Sequence, residues 1–184
     1  IIPVIDWKPD IIHCNDWQSA LTPLYYSCYY ANRMGFENIK TVFTIHNIQY
    51  QGKYGDELLN DVLGIAPEYN NLILYDGLVN FMKAGIECAN KVTTVSPTYA
   101  KEILDPWFSH GLDPILNQRS WKLCGILNGI DVDGYNPETD KDIWANYNAD
   151  DFSNKAANKA ELQKMMGLNV DANVPVIGIV SRLV

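Results

Sequence analysis

The sequence predicts an α/β fold, a parallel sheet with flanking helices, and three observations carry that expectation. Short strand-like runs recur along the chain, near residues 11–13, 42–45, 91–95 and 122–127, the first three rich in β-branched or aromatic residues. Between them lie stretches whose apolar residues return at helical spacing. Each run then breaks abruptly into polar side chains or glycine, which is where an open α/β sheet presents a ligand crevice.

In chain order, Pro9-Asp10-Ile11-Ile12-His13-Cys14-Asn15-Asp16-Trp17 reads as a first strand that closes in hydrogen-bonding groups and an aromatic. Trp17, Ala20, Leu21, Leu24, Cys28 and Ala31 then follow helical spacing, predicting a buried amphipathic helix over 17–33 that stops at Gly35. Its tyrosines at 25, 26, 29 and 30 are expected to serve as core and surface aromatics. The second strand, 42–45, ends in His46 and Asn47 and runs on to Tyr50-Gln51-Gly52. A single histidine after a strand is more often a hydrogen-bonded structural residue than a functional one. Two parallel strands that deliver polar groups at their carboxyl ends build one crevice, however, and an aromatic beside imidazole and carboxylate suits a polyhydroxylated ligand such as a sugar.

Residues 48–71 read as irregular, punctuated by Gly52, Gly55, Gly64 and Pro67, with a short helix near 57–63. Long connections of this kind are commonly functional. A helix over 79–89 leads to the third strand, 91–95. Ser96-Pro97 then supplies a cap and a first-turn proline for a helix running to about 104, its positive end towards the crevice. A helix over 112–118 precedes the fourth strand, 122–127, which ends in Asn128-Gly129-Ile130-Asp131. Residues 131–154, rich in Asp and Asn, read as a surface connection. A helix over 155–166 stops at Gly167, and an apolar strand at 176–180 leads into Ser181-Arg182. A domain change near residue 150 separates 1–150 from 151–184.

The 184 residues are 47% apolar, enough for a core without staples. A net charge of −8 argues against nucleic acid or an anionic membrane as partner, since both need a basic face. Cys14, Cys28, Cys88 and Cys124 show no ligand-like spacing and read as reduced thiols, and no apolar run approaches a membrane span. His13 and Asp16 lack a third ligand for a metal, and no Gly-x-Ser-x-Gly elbow is present.

Six segments, taken together and in order, give the chain a recognisable pattern. They are His13-Cys14-Asn15-Asp16-Trp17, Thr41 to Asn47 with Tyr50-Gln51-Gly52, Phe81-Met82-Lys83-Ala84-Gly85, Thr94 to Ala100, Gly125 to Asp131, and Val180-Ser181-Arg182-Leu183. In these the chain resembles the bacterial glycogen synthase and plant starch synthase family, glycosyltransferases of the two-domain GT-B fold with Rossmann-like sheets. The resemblance implies glucose transfer, with retention of configuration, from ADP-glucose or UDP-glucose to the non-reducing end of an α-1,4-glucan, with no metal and no cofactor. It implies that His46 hydrogen-bonds the donor glucose near its 6-hydroxyl, and that Asp16, Trp17, Asn47 and Asn128 line the glucose pocket. Tyr50 and Ser181 join the substrate-binding set, and Arg182 reaches the departing diphosphate. An arginine suits that task because its planar fork is always charged where negative charge develops.

The family's Lys-Thr-Gly-Gly-Leu stretch is absent from the sequence, as are the lysine that follows Ser-Arg-Leu and the later glutamate site. The expectation is therefore a fragment: 1–150 the later part of the N-terminal, acceptor-side domain, and 151–184 the connection and start of the nucleotide-sugar-binding domain. Such a fragment would be inactive alone. The alternatives are a catalytically silent sugar-binding module and another GT-B transferase. The cytoplasm is the expected location, with a plastid as the second choice, and the oligomeric state stays open.

Overall fold

The computed structural model describes Val4 and residues 7–181. Strand β1, Ile11–Asn15, turns directly into the short helices α1, Asp16–Ser19, and α2, Leu21–Tyr25. The helical run divides where Pro23 has no N–H to give to the Ser19 carbonyl. It continues as a wider π-type turn, Tyr26–Tyr30, so the expected 17–33 helix is realised in pieces, and Gly35 follows at φ +88°. Strand β2, Lys40–Ile45, lies parallel to β1, Cys14 beside Phe43 and Asn15 beside Thr44.

The connection after β2 carries more structure than expected. It holds β3, Lys53–Tyr54, a π-type turn at Leu59–Leu63, the helix α3, Asn70–Ile73, and the strands β4, Leu74–Tyr75, and β5, Leu78–Asn80. These strands form an antiparallel sheet in the order β3-β5-β4. Asp76 at φ +51° and Gly77 at φ +75° make the two-residue turn between β4 and β5, the conformation an Asp-Gly pair favours in a tight hairpin. The expected helix over 79–89 is corrected accordingly. Val79 and Asn80 are strand, and helix α4 runs Phe81–Cys88 with the Asn80 side chain accepting from the Lys83 N–H at 3.0 Å. A capping side chain must sit outside the helix it caps, so α4 cannot start before Phe81.

Strand β6, Lys91–Thr94, is followed by α5, Pro97–Glu102, whose cap Ser96 accepts from the Tyr99 N–H at 2.9 Å. Helix α6, Asp113–Gln118, and strand β7, Leu123–Gly125, complete a four-stranded parallel sheet in the order β1-β2-β6-β7. This is the α/β architecture expected from the sequence. Phe43, Ile45, Met82, Ile86, Val92, Ile103, Leu112 and Leu116 form its buried core. Gly85 lets α4 lie close on the sheet, because a Cβ there would come within 2.8 Å of the Phe43 ring.

Two lysines are buried, Lys83 within α4 and Lys122 against its end. Lys83 Nζ donates to the carbonyls of Asn71 and Leu74, and Lys122 Nζ donates to those of Glu87 and Ala89 at 2.9 and 2.7 Å. Burial pushes both below the ordinary lysine range. Burial also pushes the Cys88 thiol from 9.0 up to about 12. The thiol therefore stays protonated at neutral pH, and native Cys88 is expected to resist alkylation at pH 8, read by mass spectrometry. A raised folded-state value contributes stability that is complete below pH 9.0 and is lost as pH climbs from there towards about 12. The wild-type minus Cys88→Ala stability difference reads this loss together with the coupling of Cys88 to Lys83 and Lys122, whose lowered values act in the opposite direction.

The chain packs as two compact units, Ile1–Asn128 and Gly129–Val184. In the second, helix α7, Lys155–Met165, is tied to the preceding loop by Asn158, which donates to the Ala145 carbonyl at 2.6 Å and accepts from the Ala145 N–H at 3.2 Å. Gly167, at φ +66°, ends the helix as expected. The strand expected at 176–180 is not formed: no described strand pairs with it, and Ile177 and Ile179 are 89% and 86% exposed. A strand needs a ladder partner, whatever its own β-propensity.

Candidate functional site

The carboxyl ends of the parallel strands converge as their polar termini suggest. Asp16 adopts φ +54°, a left-handed conformation at the point where β1 becomes α1. Its Oδ1 accepts the His46 N–H at 2.8 Å and the Asn47 N–H at 3.4 Å. The carboxylate thus fixes the backbone just past β2. The His46 ring is held as well, its Nε2 lying 3.0 Å from Asn15 Oδ1. Asn15 is itself anchored by Ser19, whose Oγ accepts the Asn15 N–H at 2.6 Å and donates to the Asn15 carbonyl at 2.7 Å.

These groups border a cleft of about 220 Å³ lined by His13, Asn15, Thr44, His46, Thr93 and Asn128, with Val42, Ile126 and Leu127 as apolar wall. A hydrogen-bonded line crosses it from strand to strand. His13 Nε2 meets Thr44 Oγ1 at 2.7 Å, and Thr44 Oγ1 meets Thr93 Oγ1 at 2.6 Å. Thr94 Oγ1 donates to the Ile45 carbonyl at 2.8 Å and stiffens the same edge. A small, mostly preformed cleft with a few directed polar groups can hold and orient one polyhydroxylated ring.

A second cleft, of about 320 Å³, adjoins Trp17 and the stretch from Gln49 to Tyr54. Trp17 packs on Gly52, where a Cβ would come within 2.6 Å of the indole, and lies 6.2 Å from the Tyr54 ring. Tyr50 is exposed. Gln51 is buried and spent on structure, its amide bridging the His110 carbonyl and the Asn80 side chain at 3.0 and 2.8 Å.

Of the residues singled out from the sequence, His46 and Asn128 share the first cleft, with Asp16 holding the backbone behind it. Trp17 and Tyr50 share the second. Asn47 stands exposed past β2, its Oδ1 accepting the Gln49 N–H at 3.0 Å. Ser181 belongs to the second unit and is exposed, and Arg182 lies outside the described residues. Asn15, Thr44, Thr93 and Tyr54 were not singled out. Asn15 was within reach of sequence reasoning, standing between His13 and Asp16 in one strand-end motif. The threonines were not, because strand register alone brings them to the cleft. Among the described residues, no group of three or more His, Cys, Asp and Glu could hold a metal, and no helix is long and apolar enough to cross a membrane.

Residues 1–118 match the family model described as the starch synthase catalytic domain. The chain is 50% identical over 182 residues to a glycogen synthase of Clostridium acetobutylicum, covering 97% of this chain and 38% of that protein. It is equally 50% identical over 182 residues to a glycogen synthase of Clostridioides difficile, covering 98% of this chain and again 38% of the relative. Among solved structures it is similar to the catalytic domain of starch synthase IV from Arabidopsis thaliana bound to ADP and acarbose. The TM-score is 0.71 at 41% identity, over 88% of this chain and 34% of that one. The chain thus spans 38% of the length of these curated bacterial relatives.

Proposed function

Because the chain belongs to the starch synthase catalytic domain family, we propose that it supplies the strand-end face of a retaining glucosyltransferase. That enzyme transfers glucose from ADP-glucose to the non-reducing end of an α-1,4-glucan. The observation that carries the reading is His46, fixed at its backbone by Asp16 and at its ring by Asn15 on the rim of the cleft that Asn128 also lines. Such a group is preorganised before any ligand arrives, which is what transition-state stabilisation requires of it.

In this reading His46, Asn47 and Asn128 meet the hydroxyls of the donor glucose, and Asp16 keeps the His46 and Asn47 backbone in place. The aromatic cleft of Trp17, Tyr50 and Tyr54 suits the acceptor, since aromatic faces pack against the apolar faces of glucose rings. Departure of the glycosyl group leaves positive charge on the sugar and negative charge on the diphosphate, and Arg182, with Ser181 beside it, answers the second. The ADP and acarbose bound by the Arabidopsis structure support a nucleotide-sugar donor and a glucan-like acceptor. In the sequence division proposed, 1–150 belongs to the acceptor-side domain and 151–184 to the connection and the start of the donor-side one. The four free cysteines fit a reducing compartment, the cytoplasm, with a plastid as the alternative.

A whole synthase containing this chain is expected to transfer glucose from ADP-glucose to glycogen, read as labelled glucose incorporated into polymer. No incorporation from ADP-glucose or UDP-glucose, with maltooligosaccharide binding intact, would replace the enzyme by a sugar-binding module. Incorporation into fructose in place of glycogen would point to a different transferase of the same fold.

A further inference from the structure

We propose that Asn15 is a positioning residue that keeps the His46 ring in a single neutral tautomer, proton on Nε2, so that Nδ1 serves as the acceptor for a ligand hydroxyl. The inference rests on the reading of His46 as a donor-glucose contact and adds the direction of that hydrogen bond.

Asn15 Oδ1 lies 3.0 Å from His46 Nε2. An amide oxygen only accepts, so Nε2 must carry the proton, and in a neutral ring Nδ1 is then bare. Among the described residues Nδ1 makes no hydrogen bond, which leaves it for a ligand. The Asn15 backbone is in turn well set: Asn15 closes β1 beside Thr44, and Ser19 holds both its backbone N–H and its backbone carbonyl.

The neighbouring charges do not substitute for it. Asp16 meets the His46 backbone, and His13 lines the same cleft. The Asp16 carboxylate is engaged by two backbone N–H groups, not by the ring, and His13 Nε2 is paired with Thr44. An amide at position 15 also differs in kind from a carboxylate. Aspartate would accept the same hydrogen bond while favouring imidazolium, and imidazolium would turn Nδ1 from acceptor into donor. With asparagine the site prefers a ligand group that donates, as a sugar hydroxyl can. A ligand offering only an acceptor at that point would be refused.

The test is long-range proton–nitrogen NMR of histidine-labelled chain, with His46→Gln to assign the ring. The wild type should show one Nε2-protonated tautomer. Asn15→Ala should mix the two tautomers, and Asn15→Asp, which accepts the same hydrogen bond, should restore the Nε2 proton of the neutral ring. A wild-type ring that is mixed or protonated on Nδ1 alone overturns the proposal, as does an Asn15→Ala ring that keeps the wild-type ratio. If Asn15→Asp loses its amide dispersion and does not fold, the tautomer ratios of the wild type and Asn15→Ala decide alone. No sugar enters these measurements, so a failed transfer assay would sink the synthase reading without touching them.

Discussion

Alanine at His46 is expected to lower glucose transfer by the whole synthase about 100-fold, a loss of about 2.7 kcal/mol of transition-state stabilisation. The backbone N–H that Asp16 accepts survives the substitution, so the strand end keeps its course and the loss falls on the ring. A merely structural histidine would behave differently. Its removal would lower Tm and leave the rate per folded molecule nearly intact. A modified donor sharpens the contrast. If the ring acts through the 6-hydroxyl, 6-deoxy-ADP-glucose should cost the wild type most of that factor and cost His46→Ala little more, because the partner is already gone. Equal further losses in both proteins would detach His46 from that hydroxyl.

Gly125→Ala is expected to cost about 3 kcal/mol or more of stability, at the upper end of what overpacking does. A Cβ at this position would sit 2.0 Å from the Ser96 carbonyl oxygen and 2.3 Å from the Pro97 nitrogen. Both are backbone atoms, so no rotamer change relieves the overlap. Either β7 or the first turn of α5 must move, and with it the Ile126 N–H that donates to the Thr94 carbonyl at 2.8 Å. For a protein of this size the loss corresponds to roughly 6–12 °C in Tm. Gly129→Ala is the control: a Cβ there meets nothing within 4 Å, and its effect should stay within about 0.5 kcal/mol. Comparable Tm values for the two variants would contradict the close approach of α5 to β7.

The four parallel strands were legible because each is a short strand-like run, β-branched or aromatic in the first three, with polar sequence at its end. Ser96-Pro97 and Gly167 likewise marked a helix start and a helix stop by local chemistry alone. The small antiparallel sheet was not read from the sequence. Its strands are only two or three residues long, too short for alternation to show, although Asp76-Gly77 carried a turn signal that went unused. Val79 and Asn80 look helical when counted with the residues that follow, and only their ladder with β3 and β4 and the capping bond from Lys83 reveal that they lie outside. Residues 176–180 erred in the other direction, since propensity cannot supply a neighbouring strand.

The candidate site divides in the same way. His46, Asp16 and Asn128 could be picked out by their place at strand ends. What holds them could not, because the left-handed turn at Asp16 and the pairing of Asn15 beside Thr44 are properties of register. The same limit hid the separation of Trp17 and Tyr50 into a cleft of their own. It is set by where Gly52 lets the indole rest.

The order β1-β2-β6-β7 bears on how the molecule comes into being. Each parallel strand is added outside the one made before it, and none has to be threaded between two that already pair. The sheet can therefore grow outward as the ribosome delivers the chain, without undoing earlier pairing. The open side of β6 waits for about 28 residues, from Thr94 to Leu123, before β7 covers it. At ordinary rates of translation that is roughly 1 to 6 seconds. During this interval Thr93 and Thr94 present an unpaired edge, and that nascent stage is where association with other chains, or shelter by a chaperone, would be concentrated.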